Sequence, residues 1–299
     1  MESWTISKTL DWTTDHFKKH DIEWPHLEAE ILLAHALTLK RIQLYTDHER
    51  MLTEEELSRF KGLIQRRSKH EPIAYITGTQ PFLSLDFYVD RSVLIPRPET
   101  EQLVEVAIDS IKRPSSPAPH PLIADIGTGC GAIAISLAKF LPNIKIIGID
   151  SSESAIKIAQ RNAKLHKVGN RCQFVTGNLF GPLREKVNMI ISNPPYIPSD
   201  EIATLETDVK DWEPKEALDG GKDGLDYIRK LIAEAPSHLV PSKAEQLSTQ
   251  PPKNLLLIEI GEDQGEKVRQ IAKNSGEYNG IEIIKDLYNK DRIFKAEIL

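Results

Sequence analysis

The sequence predicts an α/β fold: a Rossmann-like, mostly parallel sheet with an antiparallel edge, preceded by an all-α N-terminal domain and joined to it by a β-hairpin. Three observations lead to this prediction. Residues 1–72 repeat apolar side chains at helical spacing, and residues 73–96 are rich in β-branched and aromatic residues. From residue 122 onward, short apolar runs alternate with helical segments, which is typical of a parallel sheet covered on both faces.

The N-terminal domain, residues 1–72, is predicted to be a bundle of four or five helices. Leu27 and Ile31 belong to the apolar face of one helix, and Pro25 stands where a first helical turn tolerates proline. Thr53 and Glu56 have the spacing of a capping box, so a further helix is expected to begin there.

A β-hairpin is predicted between the two domains, over residues 73–96, where Gly78 and Pro81 interrupt the β-rich stretch. A proline-flanked segment, Leu94-Ile95-Pro96-Arg97-Pro98-Glu99-Thr100-Glu101, follows as a rigid loop. It is expected to lead into a helix over residues 103–111.

The C-terminal domain, residues 97–299, is predicted to contain the sheet. Strands are expected at 122–126, 144–149, 171–175, 187–192 and 254–260, and helices at 131–140, 152–166, 224–235 and 264–274. The last stretch reads as two strands joined by a turn, which would form the antiparallel edge. Residues 113–121 and 236–253 are rich in proline and are expected to be loops, the second a flexible surface loop.

Composition excludes several classes of protein. The net charge of −6 argues against a broad basic surface for long nucleic acid, and no apolar run reaches the ~20 residues that a membrane helix needs. The N-terminus lacks the apolar core of a secretory signal. Cys130 and Cys172 lack metal-ligand spacing and make no disulfide framework. We therefore expect a cytoplasmic protein that needs no metal.

A glycine-rich loop follows the first strand of the sheet: Asp125-Ile126-Gly127-Thr128-Gly129-Cys130-Gly131. Glycines allow a tight turn and leave the backbone open to a ligand. A second acid, Asp150, ends the next strand, where its carboxylate can accept both hydroxyls of a ribose. Asn178 and Leu179 follow the third strand and are expected to contact adenine; Phe180 beside them is equally well explained as an apolar anchor.

The chemistry of this loop favours S-adenosylmethionine over a dinucleotide. It lacks the G-x-x-G ending of the dinucleotide fingerprint and the lysine of a phosphate-binding loop, so a ribose without a pyrophosphate fits better. We predict that the cofactor contacts Asp125, Gly127, Thr128, Gly129, Cys130, Gly131, Asp150, Asn178, Leu179 and Asn193. The alternative is a structural strand-to-helix turn. Cys130 is more simply a small residue filling the loop than a nucleophile, because no base partner is visible.

The fourth strand ends in Asn193-Pro194-Pro195-Tyr196, which suits methyl transfer to an amino or amide nitrogen. The lone pair of such a nitrogen is delocalised, so the nitrogen must be held pyramidal and aimed at the methyl. The Asn193 side chain can accept one N–H, and a backbone carbonyl held by the prolines can accept the other. Tyr196 offers a flat face to a planar amide or base. Asn193, Pro194 and Tyr196 are the predicted catalytic residues, although a plain strand-ending turn would use the same residue types.

At this point the sequence resembles the HemK/PrmC protein-(glutamine-N5) methyltransferases over nearly its whole length. The resemblance is carried by Glu28-Ala29-Glu30-Ile31-Leu32-Leu33, Pro72 to Gly78, the segment 94–101, the glycine loop, Asn193 to Pro198, the stretch from Glu213-Pro214 to Asp226, and Leu257 to Gly261. It implies a class I methyltransferase domain that modifies class I peptide chain release factors and a helical N-terminal domain that docks the substrate. It also implies that Asn193, Pro194, Pro195 and Tyr196 bind the substrate glutamine and that Arg97 and Glu99 shape the pocket lid. A hinge ion pair is the alternative for Arg97 and Glu99.

Two positions depart from the family pattern: Asn178 stands where an aspartate is common, and Asn289 replaces a usual glycine. The leading hypothesis is methyl transfer to the glutamine of a Gly-Gly-Gln loop by a monomer that binds neither nucleic acid nor membrane. An adenine-N6 methyltransferase of nucleic acid would share the Asn193–Tyr196 motif, and a non-catalytic binding protein would share the fold. The negative charge disfavours the former, and the intact Asp150, Asn193 and Tyr196 disfavour the latter.

Overall fold

The computed structural model describes residues 4–112, 121–240 and 254–298. The chain forms two compact units, one of Met1–Thr79 with Glu206–Trp212 and one of Gln80–Leu205 with Glu213–Leu299. The helices are α1 (Ile6–Lys18), α2 (Pro25–Leu37), α3 (Arg41–Thr46), α4 (Glu54–Arg67), α5 (Ile73–Thr77), α6 (Pro98–Lys112), α7 (Ala132–Phe140), α8 (Glu153–Leu165), α9 (Thr207–Lys210), α10 (Asp226–His238) and α11 (Gly265–Ser275). The strands are β1 (Thr79–Phe82), β2 (Leu85–Tyr88), β3 (Leu122–Ile126), β4 (Lys145–Asp150), β5 (Cys172–Thr176), β6 (Met189–Ser192), β7 (Leu255–Glu259), β8 (Tyr278–Lys285) and β9 (Asp291–Ile298).

The first unit contains α1 to α5 together with α9. The predicted capping box is confirmed: the Thr53 hydroxyl accepts the Glu56 backbone N–H at 3.2 Å, and the Glu56 carboxylate accepts that of Thr53 at 2.9 Å. The core of this first unit is apolar, with Phe17, Leu32 and Phe60 almost fully buried. Burying these side chains supplies most of the driving force for the bundle.

A buried ion cluster lies within the same unit. The Arg67 side chain is 4% exposed and donates to the Glu28 carboxylate from α2. Arg67 Nη2 lies 2.7 Å from Asp208 Oδ2 on α9, and His70 Nδ1 lies 3.1 Å from Asp208 Oδ1. The cluster therefore ties the later segment 206–212 to the N-terminal helices, an arrangement that no local pattern in the sequence indicated.

The linker prediction needs one correction. Residues 73–77 form the short helix α5 instead of part of the hairpin, because Ala74, Tyr75 and Ile76 are buried and Ile76 packs into the helical core. Gly78 ends this helix with φ of 71°. The hairpin itself is confirmed at β1 and β2.

The sheet of the second unit has the strand order β5-β4-β3-β6-β7-β9-β8. The five strands from β5 to β7 run parallel, and β9 pairs antiparallel with β7 and with β8. The predicted strands and helices of this domain are confirmed with bounds shifted by a few residues. The order reverses direction between β3 and β6, so a crevice opens at their carboxyl ends.

Two helices of this unit differ from their predicted bounds. α6 begins at Pro98, five residues early, because proline suits a first helical turn. α10 continues through Pro236 to His238, where a loop was expected. Pro236 has no N–H for the Ile232 carbonyl, and the Tyr278 hydroxyl donates to that carbonyl at 2.6 Å instead. A contact with a distant strand thus makes the helical proline tolerable.

The remaining loops are described only in part. Residues 113–120 and 241–253 of the two predicted loops lie outside the described residues. Asn289, between β8 and β9, has φ of 63°, a left-handed conformation that asparagine tolerates. Within residues 4–112, 121–240 and 254–298, no helix is both long enough and apolar enough to cross a bilayer.

Candidate active site

A cleft with a volume of about 470 Å³ opens at the carboxyl ends of β3, β4 and β6. This is within the usual size range of small-molecule sites. Its lining includes Gly127, Gly129, Ile149, Asp150, Gly177, Asn178, Leu179, Ser192, Asn193, Pro194 and Pro195, together with Ser92, Val93, Leu94, Pro214, Glu216 and Tyr227. The structure therefore brings Gly127, Gly129 and Asp150 to one cavity with Asn193, Pro194 and Pro195. Of the other predicted site residues, Asp125, Thr128, Cys130, Gly131 and Tyr196 are not among those that line it. A larger and more open groove of about 960 Å³, along β4 and β5, contains none of the predicted site residues.

The glycine loop turns sharply from β3 into α7. Gly127, Gly129 and Gly131 all have positive φ, of 74°, 53° and 84°. A Cβ on Gly131 would lie 2.9 Å from the Ile135 side chain, whereas one on Gly129 would meet nothing within 4 Å. At Gly131 a side chain would be strained by the positive φ and would crowd Ile135, whereas Gly129 leaves open space beside its backbone.

Three of the predicted cofactor residues in this loop, Asp125, Thr128 and Cys130, are buried. Asp125 has no exposed surface and accepts the Thr128 hydroxyl at 2.6 Å, which fixes the turn. Burial raises the pKa of Asp125 to about 7. Cys130 is also buried, and burial raises the pKa of its thiol to about 12, so the thiol stays protonated and unreactive at neutral pH. Direct contact of Asp125, Thr128 and Cys130 with a cofactor stays a prediction.

Asp150 ends β4 and lines the cleft. Its Oδ2 accepts the Gly129 N–H and its Oδ1 accepts the Ser152 N–H, both at 2.9 Å. These bonds hold the carboxylate against the glycine loop and leave each oxygen a further lone pair. A ribose diol could therefore donate both hydroxyls to Asp150.

The three residues that follow Gly177, after β5, differ in where their side chains lie. Asn178 is exposed and Leu179 half-buried, and both line the cleft. Leu179 has φ of 45°, a strained backbone conformation for a bulky residue and one that recurs at binding sites. Phe180 is 2% exposed and stacks on His238 with ring centroids 4.7 Å apart, so it is the apolar anchor.

Asn193 follows the buried end of β6, and Ser192 holds that end against β3 by donating to the Ile126 carbonyl at 2.7 Å. The Asn193 Nδ2 donates to the Thr100 hydroxyl at 3.0 Å. This bond uses one of the two N–H groups of the Asn193 amide. The acceptor end, Oδ1, remains available to a ligand in the cleft.

Tyr196 is held at both its side chain and its backbone. Its hydroxyl donates to Glu259 Oε1 at 3.3 Å, and its carbonyl accepts the Gln264 Nε2 at 2.9 Å. Burial and the nearby Glu259 charge both raise the pKa of Tyr196, so the phenol stays protonated at neutral pH.

Two glycines of the stretch 213–226 pack directly on the Asn193–Tyr196 backbone. A Cβ on Gly220 would lie 2.8 Å from the Pro195 carbonyl oxygen, and one on Gly224 would lie 2.3 Å from the Tyr196 carbonyl oxygen. The Ile197 N–H also donates to the Leu218 carbonyl at 3.1 Å. The stretch therefore braces the motif from behind.

The two segments with the most distinctive sequences meet at one carboxylate. Glu213 accepts the Ile95 N–H at 3.1 Å and accepts a charged hydrogen bond from Arg97. The Glu213 side chain is 1% exposed, so its charge is paired where water cannot reach it. Glu99 is exposed and does not form the hinge pair with Arg97 considered above. Neither Arg97 nor Glu99 is among the residues lining the cleft.

Sequence reasoning missed several residues that shape the site. Thr100 and Gln264 were not assigned a role, although they contact Asn193 and Tyr196 of the motif. Asn162 is fully buried; it donates to the Cys130 carbonyl at 2.9 Å and bonds both backbone groups of Tyr88 in β2. A polar residue on the apolar face of a predicted helix is the signal that could have revealed Asn162.

The lining fits S-adenosylmethionine. Its charged residues in the described part of the chain are Asp150 and Glu216, and it includes no lysine or arginine. Such a cleft suits a ribose and a positively charged sulfonium and does not suit a pyrophosphate.

Comparison with known proteins agrees with this chemistry. A family profile described as "PrmC N-terminal domain" matches residues 8–78, and one described as "Methyltransferase small domain" matches residues 114–207. A release factor glutamine methyltransferase of Geobacter sulfurreducens is 43% identical over 277 residues, covering 92% of this chain and 90% of the relative. One of Rhodopirellula baltica is 38% identical over 296 residues, covering 98% and 96%.

Among solved structures, the hMettl16 catalytic domain in complex with MAT2A 3′UTR hairpin 6 is similar with a TM-score of 0.53. The match covers 83% of this chain and 84% of that one at 12% identity, which shows a shared methyltransferase fold alone. The similarity to the sequence relatives is much closer and extends over both units. The chain is therefore an S-adenosylmethionine-dependent methyltransferase and belongs to the release factor glutamine methyltransferase family.

Proposed function

We propose that this enzyme transfers the methyl group of S-adenosylmethionine to the N5 side-chain amide of the glutamine in the Gly-Gly-Gln loop of class I peptide chain release factors. One observation carries the proposal: Asn193, Pro194 and Pro195 line the same cleft as Gly127, Gly129 and Asp150. The groups that could accept hydrogen bonds from a substrate amide nitrogen therefore lie beside the residues that could bind the cofactor ribose. The extended similarity to release factor glutamine methyltransferases supports the choice of substrate.

Cofactor binding is assigned to the cleft face of the glycine loop and its neighbours. Asp150 would accept the ribose hydroxyls, because its two oxygens are already oriented by Gly129 and Ser152. Asn178 and Leu179 would lie against the adenine. When bound, S-adenosylmethionine supplies an electrophilic methyl whose bond to sulfur breaks as the bond to nitrogen forms.

The protein's part in the reaction is to prepare the nitrogen. An amide lone pair is delocalised into the carbonyl, and it is released when both N–H bonds are directed to acceptors out of the amide plane. Asn193 Oδ1 would accept one N–H, and a backbone carbonyl of the proline pair would accept the other. Both acceptors stabilise the positive charge that grows on nitrogen, which is electrostatic catalysis with fixed dipoles.

Tyr196 would position the amide through its ring. The Tyr196 hydroxyl is held by Glu259 and the Tyr196 backbone carbonyl by Gln264, so both the ring and its backbone are positioned before the substrate binds. Holding the nitrogen in line with the methyl contributes much of the acceleration. After transfer the nitrogen carries an acidic proton, which can leave to water, so no general base is needed.

Further parts of the proposal concern partners and location. We assign release-factor docking to the helical unit and propose that the enzyme acts as a monomer, without direct nucleic acid or membrane binding. A cytoplasmic location fits the two buried free thiols, Cys130 and Cys172.

The test is a transfer assay with S-adenosylmethionine labelled in the methyl group. A release factor should become labelled, and its Gln→Ala variant at the Gly-Gly-Gln loop should not. Equal labelling of the two proteins would overturn the assignment of the glutamine. Label in added DNA or RNA, with none in the release factor, would instead support the adenine-N6 alternative.

A further inference from the structure

Two segments that are remote in the sequence line the cleft, and one buried carboxylate joins them. The lining includes residues 92–94, which precede α6, and Pro214 and Ala217, which precede α10. Glu213 comes directly before the second group, and its Oε2 accepts the backbone N–H of Ile95, which follows the first group, at 3.1 Å. The carboxylate therefore ties together two parts of the cleft wall across a separation of 118 residues in the chain.

The Glu213 side chain can satisfy both of these partner groups only as a carboxylate. Its Oε2 accepts the Ile95 N–H, and its Oε1 accepts from the Arg97 guanidinium. Both partner groups are donors that cannot accept a hydrogen bond, so both side-chain oxygens must be acceptors. A glutamine of the same shape would turn its NH₂ group toward one of the two donors. The Glu213 side chain is 1% exposed, so water has little access to compensate for the lost hydrogen bond.

The backbone on each side of this contact is stiff. Pro96 follows Ile95 and Pro214 follows Glu213, and each proline fixes its own φ and restricts the residue before it. Ile95 and Glu213 are also both buried, so their side chains are confined by packing. A shift at the carboxylate would therefore be passed on to Leu94 and Pro214 in the cleft wall instead of being absorbed locally.

We propose that Glu213 is a positioning residue for cofactor binding, which holds residues 92–94 and Pro214 at the spacing that S-adenosylmethionine requires. Arg97 does not line the cleft and acts through Glu213, because its charge keeps the buried carboxylate paired. Without this pair a share of the molecules would hold the wall displaced, and cofactor affinity falls in proportion to the fraction that is competent to bind. The inference rests on the proposed function, because it concerns the cofactor cleft assigned there.

Glu213→Gln and Arg97→Met, alone and together, test the proposal by calorimetric titration of S-adenosylmethionine into the full-length enzyme. Glu213→Gln sets an NH₂ group against a donor, and Arg97→Met leaves the buried carboxylate without its charged partner. We expect each single substitution to raise the Kd roughly tenfold, which corresponds to a competent fraction of about one tenth. In the double variant the glutamine NH₂ no longer faces a guanidinium, so the Kd should rise no further than in the single variants, not about a hundredfold.

Turnover separates this role from a general loss of stability. A partly unfolded variant contains less active enzyme, which lowers the apparent kcat but leaves the Kd of the folded fraction unchanged. For Glu213→Gln we expect KM for S-adenosylmethionine to rise with Kd, while kcat on a release factor at saturating cofactor stays within about threefold of wild type. Glu282→Gln is the control, because it removes the same charge from an exposed pair with Lys295, 3.1 Å apart, and should leave Kd unchanged.

Asp150→Ala in the same titration separates this inference from the proposed function. If Asp150→Ala binds S-adenosylmethionine as tightly as wild type, the proposed cofactor site fails, and the inference fails with it. If Asp150→Ala weakens binding and Glu213→Gln keeps the wild-type Kd, the positioning role alone is wrong. A hundredfold rise in the double variant, a fall in kcat without a rise in Kd, or an equal rise in Glu282→Gln would also overturn it. Should Glu213→Gln not fold, as judged by circular dichroism, Arg97→Met carries the same comparison.

Discussion

Replacing Gly224 by alanine should disturb the catalytic motif from behind. Gly224 has φ of +72°, and a Cβ there would lie 2.3 Å from the Tyr196 carbonyl oxygen and 2.7 Å from the Gln264 Nε2. The first of these atoms belongs to the backbone, so it cannot move without moving Tyr196. Gly276 provides a matched control, because its φ is +71° and a Cβ there would meet nothing within 4 Å.

Both substitutions place an alanine in a left-handed backbone conformation, but only Gly224→Ala also crowds neighbouring atoms. A left-handed conformation costs an alanine about 1–2 kcal/mol, and this applies at both sites. Overpacking adds about 1–3 kcal/mol at Gly224 alone. The expected loss in the free energy of unfolding is therefore about 2–5 kcal/mol for Gly224→Ala and about 1–2 kcal/mol for Gly276→Ala.

We expect the two variants to differ in kcat as well as in stability. A displacement of Tyr196 by about 1 Å would misplace the substrate amide, and misplacement of that size can cost on the order of a hundredfold in rate. We expect kcat of Gly224→Ala to fall at least about tenfold by this reasoning, while Gly276→Ala keeps its kcat. The measurements are urea unfolding, with the m values compared, and release-factor methylation at saturating cofactor.

Equal stability losses in the two variants would refute the steric part of this reasoning. Wild-type kcat in Gly224→Ala would refute the link between Gly224 and Tyr196. In that case the glycine would serve only the turn that precedes α10.

Three further predictions concern other parts of the molecule. Asn193→Ala should lower kcat roughly 10²- to 10³-fold, as loss of one transition-state contact does, while isothermal titration shows cofactor binding retained; unchanged turnover would contradict the acceptor role. Arg67→Ala should lower the free energy of unfolding by about 3–5 kcal/mol, because the buried Glu28 carboxyl, whose pKa burial already raises, loses its charged partner, whereas Arg59→Ala on the exposed face of the same helix should change it by less than about 0.5 kcal/mol. Asp125 has its pKa raised from 3.8 to about 7, so the folded state holds its proton where the unfolded state has lost it; stability should fall as pH rises from about 4 to 7, and Asp125→Asn should flatten that slope in urea titrations at several pH values.

The parts of the site that depend on local chemistry were predictable. The glycine loop, the acid that ends β4 and the asparagine that ends β6 each follow a strand, and strand ends can be recognised from apolar runs and glycines. Because the carboxyl ends of parallel strands meet at one edge of a sheet, the same patterns predict that these residues share a cleft.

Some local predictions failed where a distant residue changed the local preference. Residues 73–77 have the composition of a strand, but burial of Ile76 in the helical core makes them a helix. Pro236 should end a helix, but the Tyr278 hydroxyl satisfies the carbonyl that the proline leaves without a donor. Tertiary contacts outweigh propensity in both cases, although the propensity cost is about 1 kcal/mol or less for most residues and about 3 kcal/mol for a proline inside a helix.

The amino-acid sequence by itself determined the α/β fold, the order of its elements and the positions of the cofactor and catalytic motifs, because these depend on periodicity and on chemistry local to a strand end. Only the tertiary structure decided how those motifs are oriented. Asn193 meets Thr100, Tyr196 meets Glu259, and Arg97 meets Glu213 across separations of 93, 63 and 116 residues. Hydrogen bonds of this kind depend on distances between elements that are remote in the chain, and no local pattern encodes those distances.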